Sequence, residues 1–412
     1  FAKVSFKLPV GCFLMTPFLW VSTEYLRGHV LSGFPWCLTG YALVDYLNLA
    51  QFGTIAGVYG LSFCAILISS LIAGFILAPC RFTLSCLLIS VTVLISLSLR
   101  TVAEPQVDGR SNTLARMVQP NISIDQPWNS GSKSVILREL AELSLSLPSH
   151  LKSRHDAIDN LIPEARSPQL IIWPETPAPF NFKDDSFFQD QMKNLAKVSH
   201  ATLIFGFVDL RAASSGSSPG PYNSVGILSP IGTFLSQYDK VHLVPFGEYV
   251  PLRWLFFFTE KVSSQIGEFQ AGTKVVVSTL DSNRKVGTFI CYEAVVPNLV
   301  RQFVAGGAEV LVNLTNDAWF GNSAAPHQHL LMARMRAIEN GRYLLRAANS
   351  GISAAIDPLG RIIGRTDLYE KVVLDSPFYF LTSMTFYSRW GDVFAFLCLS
   401  VSLVLVVVIN RK

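Results

Sequence analysis

The sequence predicts a membrane-anchored α/β protein, with an α/β domain of substantial sheet inserted between transmembrane α-helices. Three observations lead there. Of 412 residues, 50% are hydrophobic and only 15% charged, against about 25% charged in average soluble domains. Uncharged stretches long enough to cross a bilayer lie toward both ends of the chain. Between them, residues 101–391 alternate strand-like and helix-like runs, the pattern of a layered α/β domain. The mean hydropathy of +0.38 argues against both a disordered chain and an ordinary cytosolic enzyme. The net charge is only +4, from 33 basic and 29 acidic residues, so no nucleic-acid partner is expected.

Four uncharged stretches are the candidate spans. Leu8–Thr23 is short and interrupted by Pro9 and Pro17, while Ile55–Ala78, Phe82–Leu99 and Val393–Ile409 are cleanly apolar. A spanning helix needs about 20 mostly apolar residues, with a range of roughly 17–25. Only Pro79, Cys80 and Arg81 separate the middle two, which predicts a membrane hairpin. With four spans, Lys3, Lys7, Arg81, Arg411 and Lys412 fall on one side and only Arg27 and Arg100 lie close on the other. The excess of basic residues marks the cytoplasmic side, which puts residues 101–391 outside it. The expected organisation is therefore spans within 1–100, a globular insert at 101–391 and a closing span at 392–412. Glu24 and Arg27, at a membrane boundary, are expected either to meet headgroups or to pair with each other.

Within the insert, apolar runs at Leu170–Trp173, Ala201–Phe207, Val225–Leu228, Val275–Ser278, Val286–Cys291, Val310–Leu314 and Gly351–Ile356 read as strands. Val135–Leu147, Phe187–Val198 and His327–Arg342 read as helices, and Ser214–Pro221 as a loop by composition. No internal repeat is visible.

Three segments carry chemistry. In Ile171–Pro179 a buried strand runs into Pro174 and Pro177, which hold Glu175 at its C-terminal end; active-site groups gather at such ends. In Tyr238–Pro251, Lys240 follows a strand-like run and Glu248 sits among Pro, Phe, Gly and Tyr. In Val286–Pro297, Cys291 ends an apolar strand and Glu293 follows two residues later. Six of the seven cysteines lie in or beside apolar runs, which leaves Cys291 alone between Arg100 and Asp392. It can neither build a disulfide framework there nor form a zinc pair. It is a buried small hydrophobe or a nucleophile. A thiol attacks only once deprotonated, and Glu175 as base and Lys240 as positive charge would supply what it needs.

Together these segments resemble the nitrilase superfamily, whose catalytic set is Glu, Lys and Cys in that order. The spacings of 65 and 51 residues are similar to that family's, as are the blocks Asn313–Gly321, Arg336–Asn340 and Asn349–Ser353. The membrane flanks, Trp173–Thr176, Asp239–Pro251, Cys291–Pro297, Trp20–Gly28, Gly33–Trp36 and Gln119–Ile122 resemble more narrowly the apolipoprotein N-acyltransferase family. That resemblance implies a nitrilase-like α-β-β-α sandwich and a two-step acyl transfer through a Cys291 thioester. Glu175 would be the general base and Lys240 the oxyanion stabiliser. Glu248 and Glu293 would be supporting carboxylates, with Tyr292 beside the nucleophile and Trp128 a substrate contact. It further implies a phospholipid acyl donor, a diacylglyceryl-cysteine lipoprotein acceptor, no cofactor and no metal. The expected location is the inner (cytoplasmic) membrane, multi-pass, with the catalytic domain on the periplasmic side. Members have eight spans where this chain shows four and begins at Phe1, so an N-terminal part of the membrane module is expected to be missing.

Independently of family, five consecutive large apolar residues, Trp254–Phe258, follow Glu248. Such a run is expected in a membrane-facing lid, where Trp254, Phe256 and Phe257 would contact lipid, or else in a buried helix. A membrane-tethered amidohydrolase, with water in place of the amine, uses the same three catalytic side chains and is the alternative. An inactive anchored binding domain is a third reading, which the presence of all three side chains disfavours.

Overall fold

The computed structural model describes residues 11–77, 79–99, 113–124, 130–146, 168–177, 180–211, 220–249 and 269–410. Four helices come first: α1 (Gly11–Arg27), α2 (Leu47–Ala50), α3 (Gly53–Leu77) and α4 (Arg81–Ser98). The middle of the chain runs β1 (Thr113–Gln119), α5 (Ser130–Leu145), β2 (Leu170–Ile172), α6 (Ser186–Ser199), β3 (Thr202–Arg211), β4 (Gly220–Leu228) and β5 (Phe234–Asp239). It continues through β6 (Val277–Thr279), β7 (Lys285–Ile290), α7 (Pro297–Ala305), β8 (Val310–Thr315), α8 (Ala325–Asn340) and β9 (Leu344–Ala348). Then follow β10 (Ala354–Ile356), β11 (Ile362–Arg365), β12 (Val372–Phe378), α9 (Phe386–Trp390) and α10 (Val393–Asn410). Two compact units result: Phe1–Pro105 with Ile338–Asn340 and Met384–Lys412, and Gln106–Ala337 with Gly341–Ser383.

In the first unit, α3 and α4 have the length and apolarity to cross a membrane, and α10 is apolar over Val393–Val408. The helix α3 is broken at Gly57, where φ is +64° and ψ −171°. A Cβ there would come within 2.6 Å of the Tyr387 ring. The break deprives Val58 N–H of its helical acceptor, and it donates instead to Glu339 Oε1 at 2.8 Å. The expected Glu24–Arg27 pair is absent among the described residues. Glu24 Oε1 instead accepts from Thr39 N–H and Thr39 Oγ1, both at 2.7 Å, and from Trp20 Nε1 at 3.2 Å. A buried carboxylate takes the nearest unpaired donors, here Thr39 beyond α1 and Trp20 within it.

The second unit is built on two six-stranded sheets, ordered β12-β1-β2-β3-β4-β5 and β11-β10-β9-β8-β7-β6. In the first, β1, β2 and β3 are parallel, with β12, β4 and β5 joined antiparallel. The second repeats the pattern: β7, β8 and β9 are parallel, with β6, β10 and β11 antiparallel. Side-chain alternation sorts the first sheet's residues between two cores. Leu170, Ile172 and Ile204 join Val286, Phe289 and Leu311 of the second sheet in one core. Ile171, Leu203 and Phe205 face the other way, against Leu137 and Leu140 of α5 and Phe188 and Met192 of α6. Residues of α7 (Val300, Phe303) and α8 (Leu330, Ala333) pack with the core that contains the second sheet. This is the α-β-β-α layering.

The strands and helices expected from periodicity all appear, with shifted ends. Five strands were not anticipated as elements: β1, β5 as a defined strand, β9, β11 and β12. Most of Ser214–Pro221 lies outside the described residues, although Gly220 and Pro221 open β4.

Candidate active site

Each chemistry-bearing side chain sits just past the C-terminal end of a strand. Glu175 follows β2, Lys240 follows β5, and Cys291 follows β7. The turn after β2 is tight, with Thr176 at φ +32°, and it packs on Gly206 of β3, where a Cβ would meet Thr176 N at 2.5 Å and Pro174 O at 2.7 Å. Cys291 opens a 3₁₀ turn, Cys291–Val295, at φ +48°. For a non-glycine residue that left-handed conformation costs about 1–2 kcal/mol, and its presence at Cys291 marks a held geometry.

Lys240 is 1% exposed, and its Nζ lies 2.8 Å from Glu248 Oε1 and 3.3 Å from Glu175 Oε1. Asn223 Nδ2 donates to the same two oxygens, at 3.2 Å and 2.8 Å. Two carboxylate oxygens and two nitrogen donors thus alternate around a four-membered ring of contacts. The second oxygens are also used: Glu175 Oε2 accepts from Asn316 N–H at 2.9 Å and Glu248 Oε2 from Val244 N–H at 2.8 Å. Burial works to strip Lys240 of its proton, but the charges of Glu248 and Glu175 outweigh it and raise the pKa, so the ammonium persists. Cys291 is buried, and burial together with the Glu175 charge pushes its thiol well up, against the opposing pull of Lys240. These influences favour the protonated thiol, from which any attack by Sγ would require a base.

Glu293 takes no part in this ring. It is fully buried, and Oε1 accepts from Tyr238 OH (2.7 Å), Val241 N–H (2.8 Å) and His242 N–H (3.0 Å), while Oε2 accepts from Ile290 N–H (2.7 Å). Burial raises its pKa in spite of these donors. The carboxylate ties the turn of the thiol to the segment that follows Lys240. Glu293→Gln is expected to lower stability by about 1–3 kcal/mol, because the amide turns one donor toward another. Thermal unfolding measures this, and an unchanged Tm contradicts the tie. Tyr292 is buried beside the thiol, its ring stacked on His242 at 5.8 Å between centroids.

Beneath the nucleophile lies a histidine that periodicity did not single out. His329 Nε2 is 3.0 Å from the Cys291 carbonyl oxygen and Nδ1 is 2.8 Å from Asp317 Oδ1. Cys291 Sγ, Asp317 and His329 offer ligand atoms within 4.8 Å of one another, a donor set of metal-binding type. Asp317 and His329 are already committed, however, to Arg346 and to the Cys291 carbonyl. A cavity of about 380 Å³ lined by Thr113, Leu170, Thr202 and Arg284 lies at the opposite, N-terminal ends of the strands and contains none of these groups.

Residues 115–376 match the family model described as carbon-nitrogen hydrolase, and residues 1–71 that of the apolipoprotein N-acyltransferase N-terminal domain. A Geobacter metallireducens protein named apolipoprotein N-acyltransferase is 33% identical over 98% of this chain and 75% of its own length. The chain belongs to the apolipoprotein N-acyltransferase family. Proteins of the same name from Rhodopseudomonas palustris and Rickettsia prowazekii are 35% and 32% identical, over 95% and 94% of this chain and 72% and 74% of their own. Among solved structures, Saccharomyces cerevisiae Nit3, titled a member of branch 10 of the nitrilase superfamily, is 18% identical over 67% of this chain and 93% of its own, with a TM-score of 0.48.

Of the residues singled out from sequence for this family's chemistry, Glu175, Lys240 and Glu248 share one hydrogen-bonded cluster, and Glu175 and Lys240 act electrostatically on Cys291. Glu293 and Tyr292 adjoin the nucleophile. Trp128, Trp254, Phe256, Phe257 and the remainder of the aromatic run lie outside the described residues. Sequence reasoning passed over Asn223, His329 and Arg346, and it assigned no role to Asp317 within its block.

Proposed function

We propose that this chain is an N-acyltransferase of lipoprotein maturation, working through an acyl-thioester on Cys291. The observation that carries the reading is the buried Lys240 Nζ held between the Glu175 and Glu248 carboxylates, in the same site as Cys291. In the first step Glu175 takes the thiol proton as Sγ attacks the ester carbonyl of a phospholipid. Lys240 faces the oxyanion that forms. Collapse expels the lysophospholipid alkoxide, which recovers the proton from Glu175 and leaves the thioester. In the second step the α-amine of a diacylglyceryl-cysteine attacks the thioester and gives a proton to Glu175. The Cys291 thiolate leaves and takes that proton back, and the product is an N-acyl amide.

The same reading has the chain multi-pass in the inner membrane, with residues 101–391 as a catalytic domain on the periplasmic side. The apolar helices α3 and α4 and the asymmetric placement of Arg81, Arg411 and Lys412 support it. The name shared by the relatives supports a lipoprotein acceptor and, with the apolar helices, a phospholipid donor.

The test is intact-protein mass spectrometry after incubation with phospholipid. One acyl group is expected on Cys291, labile to hydroxylamine, absent from Cys291→Ala, and transferred on addition of a diacylglyceryl-cysteine peptide. No adduct, or an adduct that passes only to water in the presence of the peptide, would replace this reading with the amidohydrolase one.

A further inference from the structure

The network beneath Cys291 is not required by the acyl-transfer steps, yet it is fully buried and closes on the nucleophile's own strand. From the Cys291 carbonyl it runs to His329 Nε2 (3.0 Å), from His329 Nδ1 to Asp317 Oδ1 (2.8 Å), and from Asp317 Oδ2 to Arg346 Nη2 (2.7 Å). Arg346 Nη1 then donates to Asn313 Oδ1, and Asn313 Nδ2 donates to the carbonyl of Phe289, two residues before Cys291. Asp317, His329, Arg346 and Asn313 are all essentially without exposure. Thr315 Oγ1 also donates to Asp317 Oδ1 at 3.1 Å, and the backbone of Gly351 passes so close that a Cβ there would meet Asp317 Oδ2 at 2.4 Å.

The Cys291 carbonyl and the Asp317 carboxylate both only accept, so the imidazolium donates to both and the neutral ring to one; Arg346 Nη2, 3.1 Å from Nδ1, can donate to that nitrogen and leave the neutral ring's hydrogen on Nε2. Both ring nitrogens face partners other than Sγ, the Asp317 carboxylate and the Cys291 carbonyl, so the geometry is not that of a Cys–His pair. What the hydrogen bond does is grip the main chain of a residue held at φ +48°. Released, Cys291 would relax toward the ordinary backbone regions and carry Sγ away from Glu175 and Lys240.

We propose that His329, oriented by Asp317 and Arg346, is a positioning residue that clamps the Cys291 carbonyl and so aims the thiol. The inference rests on the acyl-transfer reading only in taking Cys291 as the nucleophile, and the two can fail separately. The assay is the p-nitrophenol burst from p-nitrophenyl acetate by the full chain in detergent, which reports thiol acylation whatever the natural donor. His329→Ala is expected to slow the burst on the order of 10²-fold, as small misplacements of reacting groups do, with KM unchanged. His329→Gln places an amide N–H close to Nε2 and is expected to recover most of the rate. A native burst without any phospholipid adduct would overturn the lipid reading and leave the clamp standing. The clamp is overturned by an undiminished burst in His329→Ala, by equal losses in the Ala and Gln variants, or by a loss that appears in KM alone. It is overturned too if the Ala variant loses its rate only in step with its folded fraction, measured by thermal unfolding, or if the native chain gives no burst.

Discussion

Lys240→Met is expected to lose thioester formation by about 10²–10³-fold, the usual cost of removing one oxyanion donor, and to lose stability with it. Lys240 Nζ bridges the buried Glu175 and the part-buried Glu248, and with it gone only Asn223 Nδ2 of these two nitrogen donors would remain between their Oε1 atoms. Breaking a buried ion pair from one side costs about 3–5 kcal/mol, since the stranded charge stays buried. The pH behaviour follows from the raised pKa of Lys240. A group whose folded pKa lies above its unfolded value stabilises fully below the unfolded value, about 10.4 for lysine, and less as pH climbs through the folded one. Native stability owed to Lys240 should therefore be level across neutral pH and fall only in strong alkali. Time courses of the acyl adduct and thermal unfolding between neutral and alkaline pH measure both effects. Near-native turnover in the Met variant would remove Lys240 from the mechanism.

Glu175→Gln should be the more informative loss if Glu175 is the base, because burial and the Glu175 charge both raise the pKa of the Cys291 thiol. General-base assistance is worth about 10²–10⁴-fold, and that range is the expected fall at neutral pH. The variant should also change its dependence on pH. Without a base, thiolate arises only by ionisation, so the rate should climb about tenfold per pH unit toward alkali. The native protein should rise far less steeply over the same interval. Gln also loses the negative charge that raises the thiol, which brings the alkaline rescue to lower pH. Parallel pH–rate profiles for the two proteins would mean that Glu175 is not the base.

The cluster of Glu175, Lys240 and Glu248 was legible because each follows an apolar run and is hemmed by Pro, Gly or aromatic residues, where a solvated charge has little reason to sit. The same reasoning hid other parts of the site and the fold. Asn223, Arg346, Arg116 and Asp375 lie within strands, and a polar side chain in a strand reads as a solvent-facing position. Here the solvent is replaced by partners far away in sequence. Arg116 meets Asp375 across β1 and β12 at 2.7 Å and 2.6 Å, Arg346 meets Asp317, and Asn223 meets two glutamates. Those pairs hid β1, β9 and β12 as elements and Asn223 as a site residue. His329 was invisible for a different reason: it lies on α8, and its acceptor is a backbone oxygen 38 residues earlier. The repeated pairing pattern of the two sheets resides in backbone hydrogen bonds, which leave no matching side chains to be read.

The pairing of β1 with β12 also dictates when the second unit can be finished during synthesis. Thr113, at the start of the unit's first strand, is matched to Phe378 at the end of its last. The Arg116–Asp375 bridge that pins this register joins residues 259 positions apart. The loop entropy of such a closure is met only when almost the whole unit is already ordered. The sheet containing β2 to β5 must therefore wait, with β1 as an open edge exposed to mispairing, while every strand of the other sheet is made. Arg116 adds a charge to that waiting edge, and Asp375 is the carboxylate paired with it among the described residues. The nascent chain thus carries its own safeguard against joining β1 to the wrong strand.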